Sequence, residues 1–153
     1  MRLNRLAKTA RANDLTGEGA KRAGRRWNYA GTPIIYTAQN GPLAVLGVLQ
    51  YIEVTDVHKF SVLIINVPDD ALIKRIDRDN LPDNWQQFPY PKKTKAIGRL
   101  WIERVTALLL EVPSAVYPDE SNWLINPEHS MASTIQIVAV KPFVFNDRLF
   151  RRG

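Results

Sequence analysis

Three glycine-rich turns, interleaved with arginine and aromatic residues, form the part of this sequence best suited to chemistry. They are Gly17-Glu18-Gly19-Ala20, Gly24-Arg25-Arg26-Trp27-Asn28 and the stretch from Gly31 to Tyr36. Glycine lets backbone N–H groups approach an anion, arginine donates paired hydrogen bonds to phosphate oxygens, and Trp or Tyr offers a flat face to a ring. The combination suits a dinucleotide, although the same residues also fit plain turns and a buried tryptophan.

The common nucleotide-binding motifs are absent from the sequence. No Gly-Lys-Ser/Thr follows a glycine-rich turn, and no G-x-G-x-x-G lies between a strand and a helix. The chain has no cysteine and only two histidines, which argues against disulfides, cysteine nucleophiles and a histidine-rich metal site. We therefore expect chemistry that requires no metal.

Positive charge is concentrated at the N-terminal end of the chain. Residues 1–26 contain eight Lys or Arg residues against Asp14 and Glu18, which equals the whole net charge of +6. An anionic ligand or partner near this end is one interpretation, and a basic segment that only aids solubility is the other. No apolar run approaches the length of a membrane span, so we expect a soluble, cytoplasmic protein that binds no membrane.

Hydrophobic patterns predict the elements that position the glycine-rich turns. Residues 34–37 read as a short buried strand, and residues 43–51, preceded by Pro42, as a buried helix with Gly47 in its middle. Residues 60–67 read as an inner strand. The polar, proline-containing stretch 86–95 is expected to be a surface loop.

A second helix and further strands are predicted in the C-terminal half. Helical spacing connects five apolar residues, namely Ile97, Leu100, Trp101, Val105 and Leu108. Further strands are expected over 135–140 and 143–145. Strands and helices alternate without a regular βαβ rhythm, so the predicted fold class is α+β, a single mixed domain over residues 1–153 with central β-strands and flanking helices.

Motifs in a fixed order along nearly the whole chain resemble the RES domain family. The N-terminal ones are Gly17-x-Gly19-Ala20, Gly24-x-Arg26-Trp27-Asn28, Gly31-Thr32-Pro33 and Ile35-Tyr36-Thr37. The later ones are Leu81-Pro82-x-x-Trp85, Gly98-x-x-Trp101, Val112-Pro113-Ser114-Ala115-Val116, Asn122-x-Leu124-Ile125-Asn126-Pro127-x-His129 and Phe143-x-Phe145-x-x-Arg148-Leu149. Each motif is weak alone, but their ordered recurrence makes an accidental match improbable.

The resemblance implies a fold, an activity and partners. Members of this family resemble the ADP-ribosyltransferase toxins, hold NAD in a cleft as their substrate, and degrade it by hydrolysis or phosphorolysis or transfer ADP-ribose to a protein. They are usually encoded beside an Xre-type antitoxin that blocks the NAD cleft. A homodimer within a toxin–antitoxin complex is the expectation from the family alone.

The residues that match the family's catalytic set are Arg26, Tyr36 and Ser114. The resemblance assigns Arg26 to the phosphates or ribose of NAD, Tyr36 to stacking on nicotinamide, and Ser114 to orienting the substrate. Trp27, Asn28 and Asn122 complete the expected NAD-binding residues.

Each of these residues also has a purely structural interpretation. Arg26 fits a surface ion pair, Tyr36 a core tyrosine, and Ser114 a turn or helix cap. His58 and His129 are interpreted as ordinary polar residues, and Asn126-Pro127 as a turn.

The sequence departs from the family pattern at Gly47. The matching segment of the family resembles Leu-Ala-x-Leu-Glu, and here it is Leu43-Ala44-Val45-Leu46-Gly47. A carboxylate at this position can bind ribose hydroxyls and stabilise the positive charge that develops as the glycosidic bond breaks. Glu53 lies six residues further along the helix and is expected to face elsewhere. The chain is therefore either an attenuated variant or a relative that lost activity.

Other function classes remain open at this point. A nucleic-acid-binding module or ribonuclease-type toxin would use the basic N-terminal segment, but no recognition helix or RNA-binding signature accompanies it, so direct nucleic-acid binding is not expected. A catalytically silent protein that only engages its antitoxin is the third hypothesis.

Overall fold

A seven-stranded sheet runs through the centre of the computed structural model, which describes residues 1–49, 52 and 54–150. Its strands are β1 (Arg2–Lys8), β2 (Ile35–Ala38), β3 (Phe60–Asn66), β4 (Ile73–Arg75), β5 (Leu109–Pro113), β6 (Ser121–Ile125) and β7 (Gln136–Phe143). The strand order is β4-β5-β6-β2-β1-β3-β7, and only the β4–β5 pair is parallel. This mixed sheet confirms the predicted α+β class.

Three α-helices accompany the sheet: α1 (Glu18–Ala23), α2 (Gly41–Leu49) and α3 (Lys92–Arg104). The predicted helix over 43–51 is α2, although Gln50 and Tyr51 lie outside the described residues. Among the described residues, no helix is long and apolar enough to cross a membrane.

Three hydrophobic clusters pack the elements together. One, which includes Leu3, Leu63 and Ile65, joins β1, β3, β5 and β6. A second packs Trp101 of α3 against Trp27, Trp85 and strands β5 and β6. The third packs α2 against β1, β2 and Phe60. Helices α2 and α3 are therefore held by separate clusters.

The prediction for α3 was wrong at both ends. The helix begins at Lys92, inside the stretch predicted as a loop, and ends at Arg104. Val105 already has a left-handed backbone with φ 51°, and Leu108 is fully buried outside the helix. Leu100, expected on the buried face, is 44% exposed. Trp101 is buried as predicted, and the other buried residues of α3 are the small Thr94 and Gly98, which the apolar pattern did not include.

Two further strand predictions need revision. One strand, β7, runs from Gln136 to Phe143 through the gap between the strands expected over 135–140 and 143–145, and residues 144–145 lie beyond its end. The basic N-terminal segment was assigned no strand, yet residues 2–8 form β1 near the centre of the sheet, where they pair with β3 and β2. The inner strand predicted over 60–67 is confirmed as β3.

Candidate functional site

A cavity lies where the central strands β1 and β2 separate. These strands share only one registered residue pair, Asn4 with Ala38, whereas β1 and β3 stay paired from one end of β1 to the other. Arg5 reaches across towards β2, and its guanidinium Nη1 donates a hydrogen bond of 3.4 Å to the carbonyl oxygen of Tyr36. The gap in the sheet therefore exposes side chains from both strands to a common space.

The cavity has a volume of about 180 Å³, and three parts of the fold line it. Strands β1 and β2 and helix α2 form one part, residues 17–27 a second, and the turn after β5 a third. Five of the residues predicted from the sequence line it together, namely Arg26, Tyr36, Gly47, Ser114 and Asn122, and Trp27 borders it as well. These residues are up to 96 positions apart in the chain, and the fold brings them to one cavity.

Arg5 is a cavity residue that the sequence analysis missed. Burial lowers the pKa of its guanidinium, the nearby Arg25 lowers it further, and Asp14 opposes the shift. An arginine remains protonated despite such a shift. Its Nε atom is buried and has no hydrogen-bond partner. A half-buried arginine with one buried, unbonded donor beside a cavity favours an anionic ligand, because a buried donor without a partner is costly.

A hydrogen-bonded network fixes Tyr36 at the cavity wall. Its hydroxyl donates to Oδ1 of Asn28 at 2.7 Å and accepts from the backbone N–H of Trp27 at 3.1 Å. Asn28 is fully buried, and its Nδ2 donates to the carbonyl oxygens of Ala20, Tyr29 and Thr32. Asn28 does not line the cavity, and its hydrogen bond fixes the position of the Tyr36 hydroxyl. The hydroxyl of Tyr36 is occupied, while the residue still borders the cavity.

We expect Tyr36→Phe to lower the free energy of unfolding by about 1–2 kcal/mol, because the Trp27 N–H and Asn28 Oδ1 each lose a partner in a buried setting. Urea unfolding measures this change. Tyr29→Phe is the matched control, since the Tyr29 hydroxyl makes one exposed hydrogen bond of 3.3 Å, and it should change stability by less than about 0.5 kcal/mol. Equal effects of the two substitutions would show that the Tyr36 network does not hold the loop.

Arg26 connects the cavity to the loop before α3. Its Nη1 donates to the carbonyl oxygens of Trp85 at 2.7 Å and Gln87 at 2.9 Å, and its guanidinium lies 4.9 Å from the ring centre of Tyr90. These contacts hold the guanidinium in place at the cavity wall. Arg26 is therefore held rigidly at the wall, and the surface ion pair considered from the sequence is not what these contacts form.

Trp27 serves mainly as a core residue. It is 3% exposed, and its ring lies 6.5 Å from that of Trp85 at a tilt of 42°. A ring buried in this way anchors the wall, whereas a ligand would need a more open face. Of the two interpretations that the sequence left open, this packing favours the core residue.

Ser114 and Asn122 lie on the side of the cavity formed by β5 and β6. The Ser114 hydroxyl oxygen accepts hydrogen bonds of 3.2 Å from the backbone N–H groups of Val116 and Tyr117, which shapes the turn after β5. The Asn122 side chain donates to the carbonyl oxygen of Thr37 at 3.1 Å. Both residues therefore combine a structural hydrogen bond with a position at the cavity, so the turn considered for Ser114 and its expected contact with the substrate are compatible.

Gly47 lies on α2 at the cavity wall, with open space beside it. Among the described residues outside its own helix backbone, no heavy atom lies within 4 Å of a Cβ atom built on Gly47. A side chain at this position would thus start at the wall without a clash. Glu53, the other carboxylate considered for this role, lies outside the described residues.

Gly17 shows why the turn residues are glycines. Its φ of 74° is left-handed, and a Cβ there would lie 2.8 Å from the backbone nitrogen of Ile34. The turn can therefore approach β2 closely only without a side chain. The two histidines lie elsewhere: His58 is exposed, and Nδ1 of His129 accepts from the backbone N–H of Met131. Within the described ranges, no group of three His, Asp or Glu side chains is placed to hold a metal.

The walls of this cavity can bind an anion next to a flat ring. Arg5, Arg25 and Arg26 supply positive charge, and Tyr36 supplies an aromatic wall. Asn4 and Asn122 add amide groups that can bind hydroxyls. These groups could contact the phosphates, rings and hydroxyls of a ligand, and the dinucleotide expected from the sequence stays a prediction.

Comparison with known proteins extends over almost the entire chain. The RES domain model matches residues 2–146. A Prs ADP-ribosylating toxin of Sphingobium sp. (strain YBL2) is 34% identical, over 96% of this chain and 93% of its own length. Toxin Res of Yersinia enterocolitica is 36% identical over 90% of this chain and 91% of its own length. Toxin Res of Pseudomonas putida is also 36% identical, over 90% of this chain and 93% of its own length.

A solved structure supports the same fold. The M. tuberculosis MbcT-MbcA toxin-antitoxin complex contains a chain that matches with a TM-score of 0.76, over 94% of this chain and 84% of that one. Because the two chains are 18% identical in sequence, this similarity shows a shared fold and no more. The match to the family model and the identity to these three relatives show that the chain belongs to the RES domain family.

Proposed function

We propose that this chain is the toxin of a toxin–antitoxin pair and that it takes NAD as its substrate in the cavity between β1, β2 and α2. The observation that carries the proposal is the buried Arg5 guanidinium, which faces the cavity with a partnerless Nε and lies near Arg25. A pyrophosphate supplies the negative charge that this arrangement lacks. The relatives named as toxins, one of them ADP-ribosylating, support the assignment of substrate.

The proposed reaction breaks the bond between nicotinamide and its ribose. The electron pair of that bond leaves with nicotinamide, which becomes neutral, and positive charge develops on the ribose. An acceptor then bonds to the anomeric carbon and gives up its proton. Arg5 and Arg26 hold the pyrophosphate, Tyr36 packs on the nicotinamide ring, and Ser114 and Asn122 orient the ribose side of the substrate.

Gly47 sets the expected speed of this reaction. The described cavity wall provides no carboxylate to stabilise the charge that develops on the ribose. We therefore propose that this chain is attenuated, with binding retained and turnover slow.

The acceptor of ADP-ribose distinguishes two versions of the proposal. Water or phosphate as acceptor makes the chain an NAD glycohydrolase or phosphorylase. The relative named as a Prs ADP-ribosylating toxin favours the second version, transfer to a protein. NAD labelled in its adenosine part separates them, because the label ends in free ADP-ribose, in ADP-ribose 1-phosphate or on protein. If label stays in NAD with this chain and with a Gly47→Glu variant, the enzymatic proposal is wrong.

The partner proposed for this chain is an Xre-type antitoxin that fills the same cavity. A matched antitoxin should compete with ADP-ribose, because both would occupy the space beside Arg5 and Tyr36. Binding of the antitoxin without competition would place its interface elsewhere on the chain. A homodimer within that complex is part of the same proposal.

Arg5→Met tests the central residue of the site, because it should raise stability and weaken ligand binding at the same time. We expect the variant to unfold at a higher urea concentration, by about 1 kcal/mol, because it removes an unpaired charge from a buried position. We also expect it to bind ADP-ribose at least about tenfold more weakly, because the charged donor is lost.

Exposed arginines provide the control for Arg5→Met. Arg22 forms an exposed ion pair of 3.1 Å with Glu18 and does not line the cavity, so Arg22→Met should leave both stability and binding nearly unchanged. Unaltered ADP-ribose binding by Arg5→Met would remove Arg5 from the binding site. Weaker binding by Arg22→Met to the same extent would indicate a diffuse charge effect.

A further inference from the structure

A second cavity adjoins the first one, which lies between β1, β2 and α2. The second cavity has a volume of about 280 Å³ and is lined by the second half of β1, by residues between 11 and 25, and by Val48, Ile52, Asp56 and Phe60. Six of the described residues line both cavities, namely Arg5, Leu6, Gly17, Gly19, Arg25 and Val48. The two cavities therefore meet beside Arg5 and Gly19.

The first cavity is small for a dinucleotide. Its volume is about 180 Å³, whereas sites that enclose a small molecule typically measure roughly 300–1,000 Å³. The two cavities taken together reach that range. A dinucleotide held at Arg5 would therefore extend from the first cavity into the second.

Gly19 leaves room at the point where the two cavities meet. Its backbone does not require a glycine, since the glycines with positive φ among the described residues are Gly17, Gly24 and Gly31. Glycine is also less favourable than alanine within a helix such as α1. Among the described residues beyond its chain neighbours and its own helix backbone, no heavy atom lies within 4 Å of a Cβ atom built on Gly19. The fold would thus accommodate a side chain here, and the lack of one leaves the junction wider.

The second cavity combines apolar and polar walls of the kind that suit an adenosine. Leu6 and Phe60 are buried and offer apolar surface to a purine base. Asp14 and Asp56 add carboxylates, whose contacts with the described residues use Oδ1. A carboxylate can accept further hydrogen bonds on its second oxygen. The ribose hydroxyls and the amino group of an adenosine are donors that could supply them.

We infer that the second cavity binds the adenosine half of the dinucleotide, with the pyrophosphate passing between Arg5 and Gly19 from one cavity to the other. The inference rests on the proposed function and deepens it, because it assigns the half of the substrate that the first cavity does not enclose. The nicotinamide half lies in the first cavity, beside Tyr36 and Gly47. Adenosine nucleotides without nicotinamide are then ligands of this chain as well.

Equilibrium titration of the full chain with ADP-ribose and with ADP tests this assignment. ADP carries the adenosine and both phosphates but lacks the second ribose, so it fits the second cavity and the junction without entering the first cavity. We expect ADP to bind to the chain and to displace ADP-ribose in competition. ADP-ribose should in turn displace ADP.

Gly19→Leu and Gly19→Ala are the matched variants at the junction. Leucine should fill part of the junction and weaken the binding of both ligands at least about tenfold. Alanine adds only the Cβ atom that the structure accommodates and should change both affinities by less than about twofold. Urea unfolding checks that both variants fold, as expected because both residues favour a helix more than glycine does.

Val116→Phe is the control in the first cavity. Val116 lines the first cavity and not the second, and it is 38% exposed, so the turn after β5 has room for a larger side chain. This variant should leave the affinity for ADP unchanged. The comparison with Gly19→Leu thus reports which cavity holds the adenosine.

Hydrogen exchange of the unchanged chain gives a readout that needs no variant. ADP should slow the exchange of backbone amides over residues 14–20, which border the second cavity, and should leave the amides of residues 114–117 as they are. Slower exchange at 114–117 with no change at 14–20 would place the adenosine in the first cavity and overturn the inference.

The binding outcomes separate this inference from the proposed function. If ADP-ribose binds equally well to the parent chain and to Gly19→Leu, the second cavity is not part of the site and the inference is wrong, while the proposed function stands. The inference is also wrong if ADP-ribose binds and ADP does not, or if Val116→Phe weakens ADP binding as much as Gly19→Leu does. If neither ligand binds to the parent chain, the proposed function itself fails, and the inference fails with it.

Discussion

Gly98→Ala is expected to destabilise this protein by about 3 kcal/mol, although alanine normally stabilises the middle of a helix relative to glycine. Gly98 lies on the buried face of α3, against the backbone of Trp27. A Cβ atom there would overlap the carbonyl oxygen of Trp27 and lie 2.8 Å from its carbonyl carbon. Backbone cannot move aside as a flexible side chain can, so α3 must shift away from the loop.

Urea unfolding measures the cost, and Gly47→Ala is the matched control. Gly47 is also within a helix, but its added Cβ would meet none of the described residues beyond its own helix backbone within 4 Å. Gly47→Ala should therefore stabilise the chain by about 0.5–1 kcal/mol, the ordinary difference in helix propensity. The two glycine-to-alanine substitutions should thus have opposite effects: Gly98→Ala lowers the free energy of unfolding, and Gly47→Ala raises it. A stabilising Gly98→Ala would mean that α3 does not pack on Trp27 as described.

Gly47→Glu is expected to raise the rate of nicotinamide release from NAD by about 10²- to 10³-fold, the size of effect that one positioned electrostatic group has on a developing charge. The variant leaves the other cavity residues unchanged and adds a carboxylate to the side of α2 that borders the cavity. Measurement is by quantifying nicotinamide over time at saturating NAD. The gain should appear mainly in kcat, because the developing charge is greatest in the transition state.

Two further variants define what the carboxylate contributes. Gly47→Gln should remain as slow as the parent chain, because an amide cannot match the positive charge. Glu53→Gln should leave the parent rate unaltered if Glu53 does not substitute for the missing group. A Gly47→Glu variant that stays as slow as Gly47→Gln would contradict the role given to position 47. A large loss in Glu53→Gln would transfer that role to Glu53.

Residues that the sequence grouped together line one cavity, whereas strand β1, which forms part of the same wall, was not predicted. Gly17, Arg26, Tyr36 and Ser114 belong to motifs with unusual residue types in fixed order, so their association could be inferred without a sheet topology. Strand β1 carries no such signal. Its basic residues Arg2, Arg5 and Lys8 interrupt the alternation by which a half-buried strand is recognised, so the segment was interpreted from its charge alone.

Arg5 was missed for the same reason. Within a list of eight basic residues nothing marks it as different, and its burial results from the separation of β1 and β2, which no local pattern predicts. One signal was present: Leu3, Leu6 and Ala7 surround it with apolar residues, and all three are buried. A basic residue inside an apolar segment is a stronger candidate for a site than one in a polar segment.

The wrong bounds of α3 have a clear physical cause. Apolar periodicity placed Leu100, Val105 and Leu108 on one face, but the helix docks through Thr94 and Gly98, whose small size permits close backbone contact. The Thr94 hydroxyl also donates to the carbonyl oxygen of Arg26 at 2.7 Å. Hydrophobic pattern finds helices that bury large side chains and overlooks contacts made by small ones.

The most direct test of the dinucleotide site is a crystal structure of this chain grown with ADP-ribose. The account predicts the ligand in the cavity between β1, β2 and α2, with its pyrophosphate within hydrogen-bonding distance of the Arg5 guanidinium and its free ribose end towards Gly47. ADP-ribose bound on another surface, for example along the exposed lysines of α3, would contradict the account. So would a cavity that stays empty at ligand concentrations far above those of any cell.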